Sequence, residues 1–119
     1  MADYHLGEIE SIFADIIWAN APLTSRQLAA LAEERLHWKR TTTYTVLKRL
    51  CDRGLFQNQG GTVTALVSRE EFYARQSEQY VQDAFQGSLP AFLAAFGSRK
   101  RLNDAEIDEI QKLIDSMRR

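Results

Sequence analysis

The stretch Trp38–Gly54, WKRTTTYTVLKRLCDRG, constrains this chain more than any other. On a helix of 3.6 residues per turn, Thr43, Val46, Leu47 and Leu50 gather on one side, the spacing of a core-facing stripe. The opposite side carries Thr41, Thr45 and Lys48, with Tyr44 and Arg49 on its flanks and Asp52 as its single acid. Short hydroxyls, a phenol and long cations can reach phosphates and base edges when a helix lies in a major groove. Lys39 and Arg40 stand just ahead, where the free backbone N–H groups of a helix start can hold a phosphate. Gly54 suits the left-handed residue that ends a helix. Taken alone, the same pattern also describes an ordinary amphipathic helix with a solvated charged face.

The distribution of charge separates the two readings. The 119-residue chain carries a net charge of only −1, yet residues 1–34 hold one Arg against six acids and residues 35–53 hold six Lys or Arg against one acid. A local basic block on a near-neutral protein is the footprint of a sequence-reading module rather than of a general nucleic-acid coat. An apolar content of 45% is enough for a packed core. Cys51 is the single cysteine, which excludes an internal disulfide and a thiolate metal cluster, and it reads as a small hydrophobe near the buried side. The sequence shows neither a charged-then-apolar leader nor an apolar run of membrane-spanning length, so a cytoplasmic protein without membrane insertion is expected.

Around the basic helix the chain is organised in short elements. Leu6–Ala19 repeats apolar residues at Leu6, Ile9, Ile12, Phe13, Ile16 and Ile17, a helix with a broad buried face. Asn20-Ala21-Pro22 breaks it. Thr24 opens a second helix with Gln27 as its capping-box partner, and Leu28, Leu31, Ala32 and Leu36 face inward. Leu36-His37-Trp38 is the turn into the basic helix, so the pair reads as a helix-turn-helix. The runs Leu55–Asn58 and Thr62–Leu66 are β-prone, and the intervening Gly60-Gly61 supplies the positive φ angles of a tight hairpin. Three helices followed by a hairpin make a winged helix; the tip, 58–62, has no Lys or Arg and predicts a minor role for the wing. Ser68 begins a helix of about four turns, Ser88 a short apolar one, and Asn103 with Glu106 caps a last one. The expected fold is mostly α with a small β-hairpin: an N-terminal winged helix-turn-helix over 1–67 and a C-terminal three-helix dimerisation module over 68–119.

That module is too short to bury its own apolar faces. Val81, Phe85, Leu89, Phe92, Leu93 and Phe96, with Ile107, Ile110, Leu113, Ile114 and Met117 on the last helix, are therefore expected to meet a second copy of the chain. A two-fold dimer also suits a helix-turn-helix on a pseudo-palindromic operator. The competing arrangement folds these helices back onto the N-terminal domain.

Several segments together resemble the penicillinase-repressor family of bacterial transcription regulators: APLTSRQLA, WKRTTTYTVLKRL with the following RGL, LVSREEF, and GSLPAFLAAF. The likeness runs over roughly residues 6–115. It implies a winged-helix repressor that is homodimeric through its C-terminal helices and sits on inverted-repeat, double-stranded DNA operators. By position, the operator contacts would fall on Arg40, Thr41, Thr42, Tyr44, Thr45 and Arg49, with Lys48 beside them; Thr42 lies off the face's centre and reads as a phosphate or cap residue, and Lys39 joins the DNA-binding set by its charge at the helix start. The resemblance also implies release by proteolysis, through a membrane-anchored sensor protease or another protease, at a bond matching Ala95–Phe96. Ala95 replaces the family's asparagine there. The paired-cysteine tail of the copper-responsive branch has no counterpart, so neither a metal nor a cofactor is expected.

Two other classes of function fit the sequence less well. Catalysis finds no support, since His5 and His37 are isolated and no nucleophile–base arrangement or phosphate-binding loop is present. A winged helix used only for protein interaction would place apolar or mixed-charge residues on the recognition face, where this chain has threonines and cations. A repressor controlled by a small ligand would leave no sequence signature.

Overall fold

The computed structural model describes residues 4–118, in the order α1 (Glu8–Asn20), β1 (Leu23–Thr24), α2 (Ser25–Leu36), α3 (Arg40–Asp52), β2 (Phe56–Gln59), β3 (Thr62–Ala65), α4 (Arg69–Phe85), α5 (Leu89–Arg99) and α6 (Asp104–Ser116). The architecture is mostly helical with a small antiparallel sheet, a winged helix followed by a helical module.

Local chemistry sets the element ends. Thr24 Oγ1 accepts the Gln27 N–H at 3.0 Å while Gln27 Oε1 accepts the Thr24 N–H at 2.9 Å, closing the capping box of α2. A box of this kind contributes about 1 kcal/mol to helix stability. At the other end of α3, Gly54 takes φ +84°. There the Gly54 N–H reaches Cys51 O at 2.9 Å and the Leu55 N–H reaches Leu50 O at 3.1 Å, a Schellman closure. The hairpin turns on Gly60 and Gly61, both at positive φ, which matches the twist of the flanking strands.

The sheet is larger than the expected hairpin. The two-residue strand β1 pairs with β3 (Leu23 opposite Val63, Thr24 opposite Thr62), giving the order β1-β3-β2. Two residues carry no alternating pattern, so this strand could not be read from the sequence. It makes Thr24 at once a strand residue and the N-cap of α2, and the Ser25 N–H adds a 2.8 Å bond to Gly61 O at the wing turn. The start of α2 and the wing are therefore held together.

Two compact units divide between Gln79 and Tyr80, inside α4. The core of the first unit joins Phe13, Ile16 and Ile17 of α1, Leu28 and Ala32 of α2, Leu47 and Leu50 of α3, Leu23, Phe56 and Val63 of the sheet, and Phe72 of α4. The boundary expected at 67/68 marks the start of α4. The first unit continues past it because Phe72 is fully buried and stacks within 5.6 Å of Trp18. The broad buried face expected for α1 is narrower than its sequence pattern: Ile9 and Ile12 are 51% and 42% exposed. The core wraps only the arc through Phe13, Ala14, Ile16 and Ile17, and the buried Leu6 precedes the helix.

In the second unit Phe85, Phe92 and Phe96 form a ladder of ring contacts at 5.6 and 6.1 Å. Ser88 caps α5 by accepting the Ala91 N–H, and Asn103 with Glu106 forms a complete capping box on α6. Neither α5 nor α6 has a buried residue.

Candidate nucleic-acid interface

The turn that delivers α3 is built around His37 and Trp38. His37 adopts the left-handed region at φ 58°, and its N–H bonds Glu33 O at 3.0 Å. Trp38 packs its ring 5.0 Å from that of Phe13, tying the turn to the core. The helix then starts at Arg40 with Lys39 as N-cap and no side-chain cap, so its first N–H groups are open at a positive helix end. Lys39 and Arg40 are exposed beside that end and have no ion-pair partner among the described residues.

Along α3 the two faces separate as the periodicity requires. Thr43, Val46, Leu47 and Leu50 are buried, and the Thr43 hydroxyl is satisfied by donating to Lys39 O at 3.3 Å. Thr41, Thr42, Tyr44, Thr45, Lys48 and Arg49 are all exposed, so the structure brings these six onto one open surface, Thr42 included. Three contacts shape this surface, two of them within one turn of the helix and one across the fold. The Thr45 hydroxyl donates to Thr41 O at 2.8 Å, and the residue is exposed to solvent. Lys48 Nζ lies 3.0 Å from Asp52. Arg49 Nη1 lies 3.4 Å from Glu10 Oε2, an acid on α1 at a separation of 39 residues. A pair between distant helices becomes visible only when the fold is known.

The wing contributes little charge. The exposed residues of its tip are Asn58, Gln59, Gly60 and Thr62, with Gln57 Nε2 donating to Gln59 Oε1 at 2.8 Å. Cys51 is half-buried at the end of α3, and burial pushes its thiol above the ordinary range, so it is a poor nucleophile at neutral pH.

The second helix of this helix-turn-helix is open at its start and lined with hydroxyls and cations, and the likeness of nearly the whole chain decides its family. The profile described as penicillinase repressor matches residues 6–116. The chain belongs to the penicillinase repressor family. Members of the penicillinase repressor family are transcriptional regulators rather than enzymes. No curated protein matches the chain. Among the described residues, no three His, Cys, Asp or Glu side chains are grouped to hold a metal ion. No helix among them is long and apolar enough to cross a membrane.

The expected dimer residues fall on all three C-terminal helices: Val81 and Phe85 on α4; Leu89, Phe92, Leu93 and Phe96 on α5; Ile107, Ile110, Leu113 and Ile114 on α6, with Met117 just past its end. Val81, Phe85, Phe92, Leu93 and Ile110 are half-buried in the single chain, whereas Leu89, Phe96, Ile107, Leu113, Ile114 and Met117 are exposed. Ala95 and Phe96 are both exposed and lie inside α5.

Proposed function

We propose that the protein is a homodimeric, sequence-specific DNA-binding repressor whose α3 enters the major groove of each half of an inverted-repeat operator. The observation that carries this is the outer face of α3: three exposed threonines and Tyr44 in the middle, cations at both ends, and an uncapped helix start beside Lys39 and Arg40. Arg40, Lys39 and the open N–H groups suit phosphates, which position the helix, while Thr41, Tyr44 and Thr45 suit base edges, which select the sequence. Thr45, with its proton committed to Thr41 O, offers an acceptor to an adenine or cytosine amino group and a methyl to a thymine methyl.

Dimerisation is assigned to the helices after Ser68. Six large apolar residues stand exposed along α5, along α6 and at Met117, the kind of surface that a partner covers. A second copy covers them, and two linked reading heads bind two half-sites as one bivalent unit. Release by a protease at Ala95–Phe96 completes the assignment. That bond lies within a helix, and proteases take extended chain, so cleavage there requires α5 to unwind locally.

The test is an anisotropy titration of the purified protein against DNA from upstream of its own gene, beside a shuffled duplex of equal length. The expected result is a preference of about a thousandfold at near-physiological salt, with a steep salt dependence. Weak, equal binding to these duplexes and to every fragment of a genomic selection would overturn the assignment.

A further inference from the structure

Two cations on the outer face of α3 carry an acid partner, and they carry it in different ways. Lys48 is paired to Asp52 one turn on in the same helix, with side-chain exposures of 77% and 65%. Such a pair is screened by solvent and salt, and a phosphate displaces it readily. Arg49 is paired to Glu10, which belongs to another helix and is only 26% exposed. The second carboxylate oxygen of Glu10 is already used, accepting the Gly7 N–H at 3.3 Å in the cap of α1. The acid is therefore anchored and does not follow Arg49 when the arginine leaves. It holds Nη1 and leaves the donors on Nε and Nη2 for a ligand.

We propose that Glu10 is a specificity-determining residue, acting through Arg49: it aims the guanidinium at one defined contact on the operator and withholds it from the general phosphate backbone. The proposal rests on the reading of α3 as the recognition helix. On random DNA, Arg49 gains only a phosphate, which must compete with an anchored carboxylate. On the operator, an arginine already held in place loses less freedom when it forms a two-pronged contact. Both effects widen the gap between operator and random sequence. An acid beside a DNA-facing cation thus lowers affinity for random DNA and raises discrimination.

The test is Glu10→Gln in the full-length chain. Glutamine keeps the cap, because its side-chain carbonyl oxygen can accept the Gly7 N–H as the Glu10 carboxylate does. Parent and variant are titrated by anisotropy, at one near-physiological ionic strength, against the tightest duplex recovered from a random-sequence pool and against its shuffled counterpart. E10Q is expected to bind the shuffled duplex about two- to fivefold more tightly, the scale of one exposed ion pair, and the selected duplex no more tightly. In an Arg49→Ala background the same change should leave the ratio of the two affinities unaltered. Equal tightening on both duplexes, no change on either, or the same fall in ratio without Arg49 would each overturn the proposal. A parent protein with no preference for any duplex would overturn the reading of α3 itself, and this proposal with it. A parent that discriminates, with an unchanged ratio in E10Q, overturns this proposal alone.

Discussion

Trp18, near the end of α1, donates its indole Nε1–H to the carbonyl oxygen of Val67 at 3.0 Å, joining positions 49 apart in the chain. The same ring lies 5.2 Å from Phe56 and 5.6 Å from Phe72, so one side chain bridges α1, the sheet and the first turn of α4. Trp18→Phe keeps a ring but removes the donor, leaving a part-buried carbonyl without its partner. A loss of about 1–2 kcal/mol in urea unfolding is expected. An unchanged midpoint would show that water replaces the bond without penalty.

Thr45 is exposed in the middle of α3, its hydroxyl proton donated to Thr41 O. Thr45→Ala is expected to lower affinity for the selected operator by about 1–3 kcal/mol while changing random-duplex affinity little. Thr45→Val, which keeps the methyl, separates the two contacts. Equal losses on both duplexes would remove Thr45 from base reading.

Arg40 opens α3 beside an uncapped helix start. Arg40→Ala should weaken binding to operator and random duplex alike and flatten the slope of log K against log salt by about 0.9, the signature of one lost phosphate contact on duplex DNA. A selective loss on the operator would instead assign Arg40 to a base.

Phe96 is 46% exposed at the end of the aromatic ladder in α5. Phe96→Asp is expected to yield monomers in sedimentation at micromolar concentration, because a charge buried in an apolar interface is strongly unfavourable. Operator affinity should fall with dimer loss, since the two half-sites then bind separately. A persistent dimer would exclude Phe96 from the interface.

Much of this protein was legible in the sequence because its signals are local. The 3.6-residue repeat of Thr43, Val46, Leu47 and Leu50 determined which face of α3 is buried, and therefore which residues stand outward. Thr24 with Gln27, and Asn103 with Glu106, marked helix starts because a cap is satisfied within one turn. Gly60-Gly61 determined the hairpin for the same reason. Tertiary structure alone decided what depends on distant neighbours. Ile9 and Ile12 belong to the apolar pattern of α1 yet lie exposed, because burial follows from what packs over a face and not from the face itself. The strand β1 exists only because β3 lies alongside it to accept two residues. Arg49 reads as one more surface cation until the fold sets Glu10 3.4 Å away. A helix repeats every 3.6 residues whatever surrounds it, but an ion pair across helices needs both helices already in place.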